Sequence, residues 1–134
     1  MDYEIVKLNE RVSNMLLQMG ASPDLLGFRY LKDGVMIALK KHGKIKSIIK
    51  DLYGKIAECN DSTAQSVERT IRHTIEIIWN KGKIDVINKC FGVTIFNKIE
   101  KPTNGQFLMI LAEKVSREFY FNEDGKLIKI DNRF

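Results

Sequence analysis

One stretch decides the fold of this chain: residues 62–79, with the sequence STAQSVERTIRHTIEIIW. At about 100° per residue, its apolar side chains fall on one side of a helix and most charged and amide side chains on the other. The apolar side consists of Val67, Ile71, Thr74, Ile75 and Ile78. The opposite side carries Gln65, Arg69, Arg72 and Glu76, with Glu68 and His73 beside them. The pattern predicts a helix that packs on a core and presents a polar face.

The residues before this helix predict a helix-turn-helix. Ser62 or Thr63 can cap the helix, because a hydroxyl accepts a hydrogen bond from a free backbone N–H, and such an N-terminus also favours phosphate. The short turn Asn60-Asp61 joins it to an apolar helix predicted for residues 47–59. In a helix-turn-helix the second helix enters the major groove of DNA. Double-stranded DNA is therefore the leading partner.

The polar face has the side chains that recognise base edges. Arginine can bond guanine O6 and N7 in a bidentate contact, and glutamate can accept from cytosine N4. Two other interpretations stay open: an ordinary solvated face, and a face that binds another protein. On a solvated face, Glu68 and Arg72 would form only an i,i+4 pair worth about 0.2–0.5 kcal/mol. Of the three interpretations, recognition of DNA is favoured.

Apolar periodicity over the whole chain predicts six helices, at residues 2–19, 24–41, 47–59, 62–80, 84–90 and 103–117. Ser22 and Pro23 are expected to be the N-cap and first residue of the second helix. Near the end, Asp124-Gly125 lies between two short apolar runs, which is typical of a β-hairpin. We therefore predict a mainly α, six-helix domain with a helix-turn-helix over residues 1–118, and a C-terminal extension, residues 119–134, forming a hairpin. Because a lone hairpin is marginal in water, it should pack on the helices or on another chain.

The composition fits one globular domain with a basic balance. The chain has 134 residues, 44% of them hydrophobic, and 22 Lys and Arg against 17 Asp and Glu, for a net charge of +5. Such an excess permits an anionic partner without requiring one. A lysine cluster around the start of the third helix could contact phosphates, or could simply keep a loop solvated. It consists of Lys40, Lys41, Lys44, Lys46 and Lys50.

Several other classes of protein are disfavoured by the sequence. No signal peptide or long apolar run is present, so we expect a cytoplasmic protein without a membrane span. Cys59 and Cys90 are isolated, and we expect two buried thiols rather than a disulfide. His42 and His73 lack metal-ligand spacing, and no glycine-rich phosphate loop occurs. We therefore predict no enzyme activity, no metal and no cofactor.

Several motifs resemble, in order, the DNA-binding effector domain of the sporulation master response regulator of Bacillus and Clostridium relatives. The motifs are Leu52-Tyr53-x-x-Ile56-Ala57, Val67-Glu68-Arg69-x-Ile71-Arg72-His73-x-Ile75-Glu76-x-x-Trp79, Gly82-Lys83-Ile84-Asp85, Phe91-Gly92 and Lys101-Pro102-Thr103-Asn104-x-x-Phe107. The resemblance covers residues 13–118. It implies six helices around a helix-turn-helix, and binding to short, asymmetric promoter boxes that often lie in tandem. It also implies contact with RNA polymerase sigma subunits, and a homodimer on tandem sites would fit it.

The resemblance assigns roles by position. Glu68, Arg69, Arg72 and His73 would face bases and nearby phosphates. Gln65 stands at the helix start, where the family has a small hydroxyl residue. The surface facing a sigma factor would include Ala112, Glu113 and Val115, with residues near Gly82 and Phe91 contributing to it.

The sequence also differs from the family pattern. The family normally has an N-terminal phosphoacceptor receiver domain, whereas Met1 here opens directly onto a predicted helix. A free-standing relative is the favoured explanation and an excised fragment the other; DNA binding by a free-standing relative would be constitutive or controlled by abundance. The main rival function is a protein-interaction module that binds a sigma factor or the full-length regulator without specific recognition of DNA. Sequence-indifferent nucleic-acid binding through the lysines is a further alternative.

Overall fold

The structure, a computed structural model, describes residues 2–41, 48–81, 83–92 and 100–130, with the side chains of residues 48–50 outside that description. Within these residues the chain forms six helices and two short strands. The helices are α1 (Tyr3–Gln18), α2 (Leu26–Lys40), α3 (Ile48–Cys59), α4 (Ala64–Asn80), α5 (Ile84–Phe91) and α6 (Asn104–Ser116). The strands β1 (Phe119–Phe121) and β2 (Leu127–Lys129) pair antiparallel. The predicted class, mainly α with a terminal hairpin, is confirmed.

Helix α1 is terminated by a glycine, Gly20, one residue beyond the predicted helix 2–19. Gly20 has a φ of 99°, a left-handed conformation that glycine adopts without strain. The backbone N–H of Gly20 donates to the Leu17 carbonyl at 3.0 Å, and that of Ala21 donates to the Leu16 carbonyl at 3.0 Å. These two bonds form a Schellman motif, which satisfies carbonyls that the helix end leaves free.

The start of α2 was predicted wrongly. Ser22 and Pro23 do not begin the helix: it starts at Leu26, with Leu25 as an N-cap whose side chain makes no capping bond. The Ser22 hydroxyl donates to the carboxylate of Asp24 instead, which holds the pKa of Asp24 below its ordinary value. Residues 22–25 form a turn closed by the Leu25 N–H and the Ser22 carbonyl at 3.1 Å. Because Ser22 bonds within this turn, its hydroxyl does not cap a helix.

Helix α2 lies at the centre of the fold and packs against α1, α3, α4 and α6. Its contact with α4 requires glycine at position 27. A Cβ there would lie 1.9 Å from Thr74 Oγ1 and 2.9 Å from the backbone oxygen of Thr70. Thr74 is 1% exposed, and its hydroxyl donates to that same Thr70 oxygen at 3.1 Å. The two helix backbones therefore approach closely without leaving the buried hydroxyl unpaired.

The hairpin packs on the helices, which is one of the two arrangements predicted for it; the other was packing on another chain. Phe119, Phe121 and Leu127 are buried, and the strands contact α1, α2 and α6. Arg11 on α1 donates from Nε to both carboxylate oxygens of Glu118, at 3.0 and 3.1 Å. The hairpin thereby gains the apolar partners that an isolated two-stranded sheet lacks.

Candidate nucleic-acid interface

Helices α3 and α4 form the predicted helix-turn-helix. The backbone N–H of Ser62 donates to the Ala57 carbonyl at 3.0 Å, and Asp61 between the helices has a φ of 50°. Thr63 is the N-cap of α4, and its hydroxyl accepts from the Ser66 N–H at 3.1 Å. Of the two capping residues that the sequence offered, Thr63 is therefore the one used.

The turn between these helices is also joined to α2. The Asn60 side-chain N–H group donates to the Asp33 carboxylate at 2.8 Å and to the Ile56 carbonyl at 2.8 Å. The second contact closes the C-terminal end of α3, and the first joins the turn to the central helix. Sequence reasoning missed Asp33, because nothing local links it to a residue 27 positions away.

Helix α4 has the two faces that its sequence predicts. The apolar residues are buried, at 1% exposure or less: Val67, Ile71, Thr74, Ile75 and Ile78. Gln65, Arg69, Arg72 and His73 are exposed, whereas Glu68 and Glu76 are half-buried. The structure therefore brings the five predicted DNA-contacting residues, Gln65, Glu68, Arg69, Arg72 and His73, onto the accessible part of one helix.

The two arginines on this face differ in their surroundings. Arg72 Nη1 donates to Glu68 Oε1 at 2.5 Å, and the side chains are 50% and 35% exposed. Arg69 has no hydrogen-bond or ion-pair partner within the described part of the chain. A cation that is already paired must exchange that partner to bind an anion, whereas an unpaired one need not. Arg69 is therefore the more available of the two for a new contact.

The start of α6 supports α4 at two places. The Asn104 side-chain N–H group donates to the Tyr53 hydroxyl at 3.1 Å and to the Glu68 backbone carbonyl at 3.0 Å. Lys101 Nζ donates to Glu76 Oε1 at 2.9 Å, and this contact lowers the pKa of Glu76. Burial raises the pKa of Tyr53, so its hydroxyl stays neutral near pH 7. The resemblance included Lys101 and Asn104 without indicating these contacts.

Basic residues beside the helix-turn-helix add positive charge. Lys41 at the end of α2 is exposed, and the hydrogen bond of its side chain with that of Lys55 on α3 lowers the pKa of Lys55; repulsion between the two adjacent cations acts in the same direction. Lys40 lies with Nζ 5.8 Å from the centre of the Phe121 ring. The side chains of four residues discussed above lie outside the described part of the structure: His42, Lys44, Lys46 and Lys50. Lys55 was missed by the sequence reasoning, which considered only the lysines from Lys40 to Lys50.

A comparison with known families decides the identity of this fold. Residues 12–115 match the family model described as "Sporulation initiation factor Spo0A C terminal". The chain belongs to this family. Spo0A C-terminal domains are DNA-binding effector domains that regulate transcription, and the family is not one of enzymes. The match includes the helix-turn-helix and most of α6, and it ends before the hairpin.

The residues expected to face a sigma factor do not all lie on the surface of this chain. Ala112 and Val115 are 6% and 0% exposed, so they pack in the core and present no surface. Glu113 is exposed and accepts from Arg117 Nε at 3.1 Å. Phe91 is also buried, with its ring edge-on to Phe107 at 6.1 Å, and Gly82 lies outside the described residues. The helical period places Ala112 and Val115 inward, because α6 is enclosed by α2, α4 and α5.

Three remaining expectations concern the thiols, the membrane spans and the metal sites of the chain. Both cysteines are free thiols; Cys90 is partly covered, but Cys59 is exposed, so the expectation of two buried thiols was wrong for Cys59. Within the described ranges, none of the helices combines the length and apolar character needed to cross a bilayer. Nor do any three His, Cys, Asp or Glu side chains gather as a metal site there.

Proposed function

We propose that this chain is a sequence-specific transcription regulator that reads a promoter box through the exposed face of α4. The observation that supports this most strongly is the exposure of Arg69, Arg72 and His73 on a helix whose other side is fully buried. In a helix-turn-helix, residues in the N-terminal half of the second helix meet the base edges. Arg69 lies in that half of α4, and Arg72 is its central residue.

Each of the predicted contact residues has a proposed role at the DNA. Arg69 makes a bidentate contact to guanine, and Arg72 exchanges Glu68 for a base or phosphate. Glu68 and His73 adjust which base is accepted, and Gln65 contacts the backbone beside the helix start. Lys41 and Lys55 neutralise phosphates that flank the groove, since contacts to phosphate position a protein without specifying sequence. Binding should weaken with salt, at a slope of about −0.9 per phosphate contact.

The test is selection of duplexes from a random-sequence pool, followed by fluorescence anisotropy. The selected duplex and a scrambled one are titrated with wild type, Arg69→Ala and Arg29→Ala across a salt series. Arg29 is a matched control, because it is exposed on α2 in the groove facing Asn9 and Ser13 of α1. Arg69→Ala should lose preference for the selected duplex by roughly 5- to 150-fold, as a base contact of about 1–3 kcal/mol requires. Arg29→Ala should retain that preference.

Three results would count against this function. A pool that yields no enriched sequence would make the protein a sequence-indifferent binder. Equal weakening of both duplexes by Arg69→Ala would show that Arg69 binds phosphate and not a base. Absence of DNA binding at any salt concentration would favour the rival function, a module that binds a sigma factor or the full-length regulator.

A contact with a sigma factor is proposed for the exposed side of α6. Met109 is 46% exposed there, and Glu113 is exposed one turn further along. Glu113→Lys should lower transcription from a target promoter without changing the affinity for DNA. Homodimer formation on tandem boxes is proposed as well, and steeper binding to two adjacent boxes than to one would support it.

A further inference from the structure

Asn104 is a polar side chain in the core where three helices meet. It is the first residue of α6 and is 9% exposed. Its side-chain N–H group reaches the Tyr53 hydroxyl on α3 at 3.1 Å and the Glu68 carbonyl on α4 at 3.0 Å. One amide thus joins both helices of the helix-turn-helix to a third helix outside it.

The bond to α4 is made at a backbone atom of the interface itself. Glu68 is the residue whose side chain pairs with Arg72, and Arg69 follows it directly. A bond to a backbone carbonyl acts on the position of the helix, whatever side chain the residue has. Movement of that carbonyl would move Arg69 and Arg72 together.

A second contact comes from the same segment. Lys101, three residues before Asn104, pairs with Glu76 at 2.9 Å. Glu68 and Glu76 are eight residues apart, which is about 12 Å along a helix at 1.5 Å per residue. Two attachment points separated by that length restrict the rotation of α4 as well as its distance from the core. The Lys101 pair is 39% and 40% exposed, so the buried Asn104 contact is the stronger restraint of the two.

We propose that Asn104 is a positioning residue for DNA recognition. Through its bond to the Glu68 carbonyl, it sets the distance of α4 from the core and the direction in which the polar face of α4 points. This inference rests on the function proposed above. The amide is suited to the task because both of its partners accept hydrogen bonds. An aspartate would place a carboxylate against the Glu68 carbonyl. An alanine would remove the amide that donates to the Tyr53 hydroxyl and to the Glu68 carbonyl.

A positioning residue and a residue that only stabilises the fold differ in how their loss affects DNA binding. Base contacts depend on geometry within a fraction of an ångström, whereas phosphate contacts through long basic side chains tolerate small shifts. Loss of the Asn104 bonds should therefore lower affinity for the selected duplex more than affinity for a scrambled one. A residue that only stabilises the fold would leave both affinities unchanged wherever the protein stays folded.

The experiment compares Asn104→Ala with Gln106→Ala. Gln106 is in the same turn of α6, and its Oε1 accepts from the Thr103 N–H at 2.9 Å as half of a capping box. Its loss weakens the start of α6 and keeps both Asn104 bonds, so it serves as a matched control for stability. Denaturant unfolding gives the stability of each variant, and anisotropy with the selected and scrambled duplexes is measured where each is fully folded.

We expect Asn104→Ala to weaken binding to the selected duplex by about tenfold, and to the scrambled duplex by less than about twofold. Gln106→Ala should leave both affinities at the wild-type value. Unchanged preference in folded Asn104→Ala would overturn the inference, as would an equal loss of preference in Gln106→Ala.

If Asn104→Ala does not fold, Asn104→Leu decides the question. This variant keeps a side chain of nearly the same shape and removes the amide, so both hydrogen bonds are lost. A lowered preference for the selected duplex would support the inference, and wild-type preference would overturn it. A wild type that prefers no duplex would overturn the proposed function itself, together with this inference. A wild type with clear preference and an unaffected Asn104→Ala would overturn the positioning role alone.

Discussion

The two faces of α4 differ in what their residues contribute to the molecule. Val67, Ile71, Ile75 and Ile78 are each 1% exposed or less and lie in the core, where they hold the helix against α2, α3 and α6. The polar face, with Arg69, Arg72 and His73, makes few contacts within the fold. One face therefore determines stability and the other is available for a partner. This separation predicts that substitutions on α4 affect stability or binding, and rarely both.

The separation is incomplete at the two glutamates. Glu68 and Glu76 are half-buried, and both are connected to the segment that begins α6, through the Glu68 carbonyl and the Glu76 carboxylate. The polar face is therefore held in place from behind, although its arginines point outward. The predictions that follow test how far the two faces can be changed independently.

The largest effect on stability is expected at the buried face. Ile71→Ala removes a side chain with 0% exposure and leaves a cavity, so the free energy of unfolding should fall by about 2–5 kcal/mol. Denaturant unfolding monitored by circular dichroism measures it. Ile77→Ala is the matched control on the same helix, because Ile77 is only half-buried and should cost less. Equal losses at the two sites would show that burial on α4 does not determine stability.

A smaller loss is expected where α2 approaches α4. Gly27→Ala places a Cβ 1.9 Å from Thr74 Oγ1, and the helices must separate to accept it. Overpacking of this kind costs about 1–3 kcal/mol. At Gly54 of α3 no atom lies within 4 Å of an added Cβ, so Gly54→Ala should instead stabilise the protein by about 0.5–1 kcal/mol. If Gly27→Ala and Gly54→Ala changed the free energy of unfolding in the same direction, the close approach of α2 to α4 would be contradicted.

A weaker effect, dependent on pH, is expected for the pair behind the polar face. Lys101 lowers the pKa of Glu76 in the folded protein, so the pair stabilises the fold above the ordinary carboxyl pKa of 4.5. That contribution is lost as the pH falls through the lowered pKa of Glu76. Lys101→Met should therefore slightly lower the melting temperature at neutral pH and have no effect in acid. In a Glu76→Gln background the same substitution should have no effect at either pH.

The smallest effect on stability is expected at the exposed face. Arg69→Ala removes a side chain that has no partner among the described residues, so the free energy of unfolding should change by no more than about 0.5 kcal/mol. The same variant should lose specific DNA binding. Thermal unfolding and anisotropy on one protein preparation give both values. A marked loss of stability would show that the polar face also supports the fold.

Local patterns in the sequence predicted most of the elements. The apolar spacing in residues 62–79, the cap at Thr63 and the Gly20 terminus act between residues a few positions apart, so they can be recognised without knowing the fold. The start of α2 was wrong for a related reason. Ser22-Pro23 satisfies the same local rule as a helix start, but the chain forms a turn there, which the Leu25 N–H and the Ser22 carbonyl close while the Ser22 hydroxyl bonds to Asp24.

The sequence by itself determined which face of α4 is apolar, which side chains stand opposite, and where the hairpin turns, because the helical and strand periods fix these without tertiary contacts. Tertiary structure alone decided that Asn104 bonds Glu68, that Gly27 meets Thr74, and that Ala112 and Val115 are enclosed. Asn104 and Glu68 are 36 positions apart, and no local pattern relates them. Their proximity follows from the packing of whole helices. The residues of the polar face of α4 are therefore specified locally, whereas their placement depends on the complete fold.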